Sequence, residues 1–478
     1  MAEKPTDSNG SDEGKTAHDW WGPEDEGNPQ NWATPKKLYH VLIPPAVGFL
    51  CPFGSSVYTP SHEQVMRDFS VTRFIAILPF CFYLLGLSFG PIIAAPTSET
   101  YGRKMVYVSA LPLFAAFTLG AGFSQGIASL IVCRFFAGLF SSPGLSIGTG
   151  TISDLYLPEK RGGPMSIFVT MVQMGPAFGP VIGGFVTINE SWRWTQWVIL
   201  MGIAIVMMVT IPMSETYKKT ILKKRAKKLG IPGPEEPERT LLQTIKFFVV
   251  KTITRPIHML FTEPIVTAFD LWIAFNFGLL NAFFAAFSWV FQNVYGFGIG
   301  STGLTYIGQA VGSLIGLVVM LCTYRIYWTK EAAKAKQNGE KMSPDKRLFV
   351  AKIGAPFIPV SLFWFGWSAR PSVHWIVPVI AEGFFSFGNL LVFTCASLYL
   401  TDCYGAIYGA SAWSSNTSLR YLAAFAFPLF AVQMYEALGT GWATSLIGFV
   451  SLLTVPIPFI FGRYGPRLRQ KSSYASQD

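Results

Sequence analysis

Four ionisable side chains interrupt otherwise apolar stretches of this chain: Arg134, Asp270, Glu382 and Arg420. A charge at the centre of a membrane span costs about 2.5–3.5 kcal/mol on insertion scales, so such residues pair, face water, or handle protons and ligands. Either acid can hold a proton or the cationic group of a cargo, and the two uses compete. Protonation would then evict the cargo. Glu382 follows Pro378 by four residues, one helical turn on. An arginine in a cavity wall, as Arg134 would be, eases proton release from a neighbouring carboxylate. The structural alternatives stay open: Arg134 bonded to backbone carbonyls, and Asp270 or Glu382 paired with Arg420.

Two segments carry information in their spacing. Residues 95–104 set a tight glycine turn at Gly102 before the cations Arg103 and Lys104, three residues after the carboxylate of Glu99. Such a cluster can latch to a helix end or carboxylate of the other half of the molecule, and break when the halves rock. Asp154, at the end of a later apolar stretch, reads as the acid of that latch with Arg103. Further on, Gly175, Gly179 and Gly183 recur at spacing four, with Gly184 beside them and Pro176 and Pro180 between. Glycines at that spacing let a neighbouring helix approach closely, and the prolines bend the segment. Ordinary tight packing is the plainer account.

These side chains need elements to hold them, and the hydropathy pattern supplies twelve. Apolar stretches of about twenty residues run through 38–58, 73–95, 104–123, 127–152, 165–187, 193–213, 264–291, 302–326, 348–368, 375–399, 411–434 and 442–462. Eighteen or more apolar residues suffice for a helix to cross the hydrocarbon core, where each backbone donor finds its partner within the segment. Composition agrees: 51% hydrophobic and only 13% charged, with mean hydropathy +0.38, against about 25% charged in soluble domains. The expected class is an all-α integral membrane protein with six spans on each side of a central linker.

The basic residues fix the orientation. Arg103-Lys104, Lys160-Arg161, the run from Lys218 to Lys228, Lys330 to Lys352 and Arg463 to Lys471 fall on one side. The other side has only Arg67, Arg73, Arg193 and Arg370. The positive-inside rule then puts both termini in the cytosol. The organisation expected is a disordered tail over 1–36, a six-helix bundle over 37–213, a basic linker over 214–262, a second bundle over 263–463 and a tail over 464–478. Two equal halves joined by a linker suit parallel repeats around a midplane cavity.

Other chemistries find no support. The net charge of +10 is spread through loops and forms no nucleic-acid patch. The six cysteines and five histidines show no metal-ligand or disulfide spacing. There is no HExxH, G-x-S-x-G or P-loop, so no enzyme is expected, and no cofactor. Energy must come from an ion gradient or from the cargo's own gradient.

The segment around Gly102 resembles the loop between spans two and three of the major facilitator superfamily, with Glu99, Gly102, Arg103 and Lys104 at matching positions; Ala95 and Thr100 depart from it. Gly175, Gly179, Pro180, Gly183 and Gly184 resemble its antiporter motif, with Ser166 in place of the leading glycine. Asn28-Pro29-Gln30-Asn31-Trp32, Ser191-Trp192-Arg193-Trp194, Glu215-Thr216-Tyr217, Glu263-Pro264-Ile265-Val266, Tyr295-Gly296-Phe297 and Phe427-Pro428-Leu429-Phe430 are similar to signatures of its fungal twelve-span drug:proton antiporters. The resemblance implies a major facilitator fold with two six-helix bundles around a central cavity. It also implies proton-coupled export of small amphipathic or cationic compounds such as drugs, toxins, secondary metabolites or polyamines. Arg134 matches that family's fourth-span arginine, to which proton coupling is attributed. The partners expected are the lipid bilayer, protons and a small-molecule substrate, with the chain acting as a monomer. The plasma membrane is the expected location and the vacuolar membrane the alternative. Two other readings remain: a nutrient importer on the same fold, and a non-transporting sensor.

Overall fold

The structure, a computed structural model, describes residues 18–157, 160–233, 250, 254–339, 342–472 and 474. Among them every regular element is helical. Six membrane helices precede the linker: α1 (Thr34–Ser56), α2 (Arg73–Tyr101), α3 (Arg103–Gly122), α4 (Ile127–Leu155), α5 (Gly162–Asn189) and α6 (Arg193–Thr210). After the linker come α7 (Pro264–Asn293), α8 (Ile299–Gln337), α9 (Pro344–Ser368), α10 (Ile376–Gly405) and a last stretch of 61 residues, Ser411–Lys471. At about 1.5 Å per residue that stretch would be roughly three bilayers long. It doubles back at Gly439, where φ is 74°, a conformation that glycine adopts without a Cβ clash. It therefore forms α11 (411–438) and α12 (440–471), and the chain crosses twelve times.

Small residues stitch each half together. In the first half a Cβ on Gly175, Gly179 or Gly183 would run into the Phe49, Ser56 or Val57 backbone or side chain, so α5 lies hard against α1. Gly138 on α4 likewise meets the Tyr83 carbonyl on α2, and Gly312 on α8 meets the Gly383 carbonyl on α10. In hydrocarbon, such backbone approach and its dispersion contacts replace the hydrophobic drive of soluble cores.

Two sequence-based boundaries need correction. The tail over 1–36 is expected to be without structure; residues 1–17 lie outside the described residues, but residues 19–27 pack onto the linker and Pro29–Asn31 form a short helical turn ahead of α1. Arg225 of the linker helix (Lys218–Leu229) donates to both oxygens of Asp25, at 2.6 and 2.7 Å. Its guanidinium lies 4.4 Å from the Trp21 ring, and Lys218 reaches Asp19 at 2.6 Å. The Arg225 hydrogen bonds hold the Asp25 carboxyl at about 2, well below the usual carboxylate range. Asn28 closes the segment by accepting from the Gln30 amide, at 3.0 Å. Low hydropathy suggested disorder here, yet acids facing a basic helix order it. The second correction concerns the final tail: α12 continues to Lys471, so Arg463, Arg467 and Arg469 belong to its last turns. Of the expected linker, 234–249 and 251–253 lie outside the described residues.

Candidate functional site

A cavity of about 420 Å³ lies between the halves, in the part of the molecule nearest the linker. The linker-side ends of α2, α4, α5 and α10 and the start of α11 wall it. Trp413, Ser414, Thr417 and Arg420 line it from α11 at spacings that share one helical face. Hydroxyls from α4 (Ser146, Thr149, Ser153) and α10 (Thr394, Ser397, Thr401) face them, and Phe168 and Phe393 add apolar surface.

Beyond the cavity, toward the opposite face, the halves touch. Ser88 Oγ on α2 donates to the Ser418 carbonyl on α11 at 3.0 Å, and Ser418 Oγ donates back to the Ser88 carbonyl at 3.2 Å. Phe82 meets Phe425 edge-on at 5.7 Å, and Phe80 meets Phe284 at 6.1 Å. The antiporter-type segment contributes: Gly184 sits over the Ile299 carbonyl and Gly303 over that of Pro180, so α5 and α8 cross without side chains between them. A pocket of about 540 Å³ on the opposite face, around His62, Arg73 and Gln292, shares no lining residue with the cavity.

Charges crowd the linker-side mouth. Arg103 Nε pairs with Asp154 at 3.2 Å, and Arg103 Nη1 donates to Ser98 at 2.6 Å. Gly102 takes φ of 100°, which turns the backbone so that the Arg103 and Lys104 amides point at the Glu215 carboxylate, at 2.8 and 3.3 Å. An anion at those first amides of α3 also faces the positive end of the helix dipole. Glu99 lines the cavity beside them. The sequence predicts a latch to the other half; in the structure Gly102, Arg103, Lys104 and Asp154 stay within the first half and the Glu215 carboxylate of the linker. The contact that does cross is Arg161 to Asp402, at 3.8 Å, with Arg347 on the same carboxylate at 2.9 Å. Asp402 was missed, and Glu215 was noted only as part of a family signature. The signal was present: Ser153-Asp154-Leu155-Tyr156 at the end of α4 recurs as Thr401-Asp402-Cys403-Tyr404 at the end of α10.

The four buried charges do not gather into one network. Arg134 is 1% exposed and donates to the Gly54 and Ser55 carbonyls at 2.8 and 3.3 Å and to Gln196 at 3.4 Å, flanked by the Tyr58 and Tyr83 rings. Among the described residues no carboxylate lies within ion-pair distance of it, so a carboxylate tuned by Arg134 is not what the structure shows. Asp270 accepts from Ser415 Oγ at 2.6 Å and from Asn416 Nδ2 at 2.9 Å. Glu382 is 3% exposed at the α8–α10 crossing, and its Oε2 has no hydrogen-bond partner. Neither acid pairs with Arg420. That guanidinium lies among the rings of Phe277, Phe393, Trp413 and Tyr421, at 4.7 to 5.9 Å, and its Nε is unpartnered. Of the four, only Arg420 lines the cavity. The aromatic run of α7 mostly packs internally: Phe283, Phe287 and Phe365 touch one another, away from the lining residues.

Twelve membrane helices in two sixes, with a cavity of mixed hydroxyl and apolar lining between them shut toward one face, define a transport protein. The chain belongs to the Major Facilitator Superfamily, whose family model matches residues 46–428. It is 36% identical over 481 residues to Polyamine transporter 4 of Saccharomyces cerevisiae, covering 95% of this chain and 73% of that protein. It is 37% identical over 465 residues to Efflux pump FUBT of Fusarium oxysporum, covering 95% of this chain and 77% of the pump. Among solved structures, the proton:xylose symporter XylE bound to 6-bromo-6-deoxy-D-glucose superposes with a TM-score of 0.65. That match covers 90% of this chain and 97% of the symporter at 13% identity.

Proposed function

We propose that the protein exports small amphipathic compounds in exchange for protons, by alternating access of the cavity beside α10 and α11. The observation that carries this reading is the asymmetry of the closure. Toward the opposite face the halves meet through backbone crossings, a reciprocal pair of serine hydrogen bonds and edge-to-face rings. At the linker side, which the positive-inside rule assigns to the cytosol, the described polar contact across the halves is the Arg161–Asp402 pair, 3.8 Å long. A cargo loading from the cytosol meets an open chamber and a latch that breaks easily. A relative bearing the name of an efflux pump supports export.

Glu382 is the proton carrier in this scheme. A buried carboxylate oxygen without a donor is costly as an anion, so proton uptake there changes the α8–α10 crossing energetically. Asp270, held by Ser415 and Asn416, couples α7 to α11 on the side of α11 away from the cavity. Purified protein in vesicles with an imposed pH gradient tests the assignment. Glu382→Gln should abolish gradient-driven accumulation while cargo exchange at equal pH persists. Full gradient dependence in that variant would move the proton elsewhere.

A further inference from the structure

Arg420 is the one cavity-lining charge that sits away from the mouth; Glu99, Arg103, Asp154 and Arg161 are all at the linker-side ends of their helices. It lies about fifteen residues into the α10–α11 turn sequence from Gly405, roughly 22 Å along the helix, near the middle of the membrane. It has no described carboxylate within 4 Å, and its Nε is unpartnered at 3% residue exposure. Arginine offers a planar fork of donors that matches a carboxylate with two parallel hydrogen bonds. Around the fork, Phe393 and Trp413 both contact the guanidinium and line the cavity, and Ser414 and Thr417 lie on the same wall, the Thr417 hydroxyl donating to the Trp413 carbonyl. The buried acids Asp270 and Glu382 are not among the lining residues; the carboxylates that are, Glu99 and Asp154, sit at the linker-side mouth, and Asp154 is already paired with Arg103.

The geometry points to an organic anion as the cargo: an aromatic carboxylate whose negative group docks on Arg420 and whose ring lies against Phe393 and Trp413. This rests on the export reading above and narrows its substrate class, away from polyamines. A bound carboxylate would supply the counter-charge that the fold leaves out at this position.

Three probes sharing one ring system separate the possibilities: 1-naphthoate, the neutral 1-naphthamide and the cation 1-naphthylmethylammonium, titrated against the purified full-length protein. The native chain should bind the anion at least about tenfold more tightly than either analogue, the scale of one charge-assisted bidentate contact. Arg420→Gln should bring the three to within about twofold while thermal unfolding stays within a few degrees of the native protein. If that variant fails to fold, Thr417→Asp places a carboxylate one turn away and should erase the anion preference by occupying the guanidinium. Tightest binding of the cation, or an anion preference surviving both substitutions, overturns the inference. Gradient-driven export of the amide without any anion preference would overturn it too, yet leave export standing. Anion-selective binding with no transport under any gradient would instead defeat the export reading.

Discussion

Each half of the molecule buries an arginine in mid-membrane, and the two are held in opposite ways. Arg134 in the first half is held by its own bundle: its terminal nitrogens donate to two carbonyls of the α1 end and one glutamine between two tyrosine rings, and it lies outside the cavity lining. Arg420 in the second half is surrounded by rings and lines the cavity. The Nε of each is unpartnered, so the separation lies in the terminal nitrogens and in the cavity. A buried cation whose terminal nitrogens are held by backbone builds the fold. One held among rings at a cavity wall is placed for a ligand. Charge in a membrane span marks importance without saying which kind, and the surroundings decide.

The largest effect that separates the two is on folding. Arg134→Met strips the Gly54 and Ser55 carbonyls of donors in a dry environment, at about 1–3 kcal/mol for each buried group left unsatisfied. It should lower the yield of monodisperse protein and its unfolding temperature by many degrees, measured by heating in detergent followed by size exclusion. Arg420→Gln should unfold within a few degrees of the native protein. Equal losses in the two variants would break the comparison.

A smaller effect concerns the mouth. Asp402→Asn removes the negative charge shared by Arg161 and Arg347 and one of its two acceptor oxygens, whereas Arg161→Ala removes only the longer contact. Partly exposed pairs contribute about 0–1 kcal/mol, so Arg161→Ala should shift the open population by roughly five-fold or less, and Asp402→Asn by more. Distances between spin labels on the linker-side ends of α4 and α10 report the shift. An unchanged distance distribution in Asp402→Asn would remove the latch from the account.

The smallest effect is a pH signature of the clamp between the N-terminal segment and the linker. Because Arg225 depresses the Asp25 carboxyl to about 2, the clamp's contribution is complete above the ordinary aspartate value of about 3.9 and fades as pH falls through 2. Protease nicking around residues 19–27 should therefore be flat from pH 7 to 5 and rise toward pH 2, tested with an acid-active protease. Asp25→Ala should show the nicked pattern already at pH 7. A step between pH 7 and 5 would contradict the assignment.

Much of this was legible in the sequence. Hydropathy runs give the helix count because the bilayer fixes length and forbids unpaired backbone, and the Arg103–Asp154 contact follows from a loop cation and an acid at a neighbouring helix end. Glycine spacing on α5 anticipates its crossings with α1 and α8. What stayed hidden depends on rotation about helix axes. Nothing in the sequence says that Ser415 and Asn416 turn toward Asp270 while Ser414 and Thr417 turn toward the cavity, nor that Arg420 joins the latter. Asp402 was readable only by laying the α10 end over the α4 end as a repeat. The ordered segment at 18–33 escaped because its acids acquire meaning only beside Arg225 and Lys218, two hundred residues away.

The cavity opens toward the linker and the termini while the opposite face is shut. Thr417→Cys in a chain with its six native cysteines replaced, labelled by a membrane-impermeant maleimide on sealed vesicles of known orientation, addresses it directly. Labelling from the cytosolic side, slowed by bound 1-naphthoate, is the predicted result; labelling solely from the opposite side would contradict it.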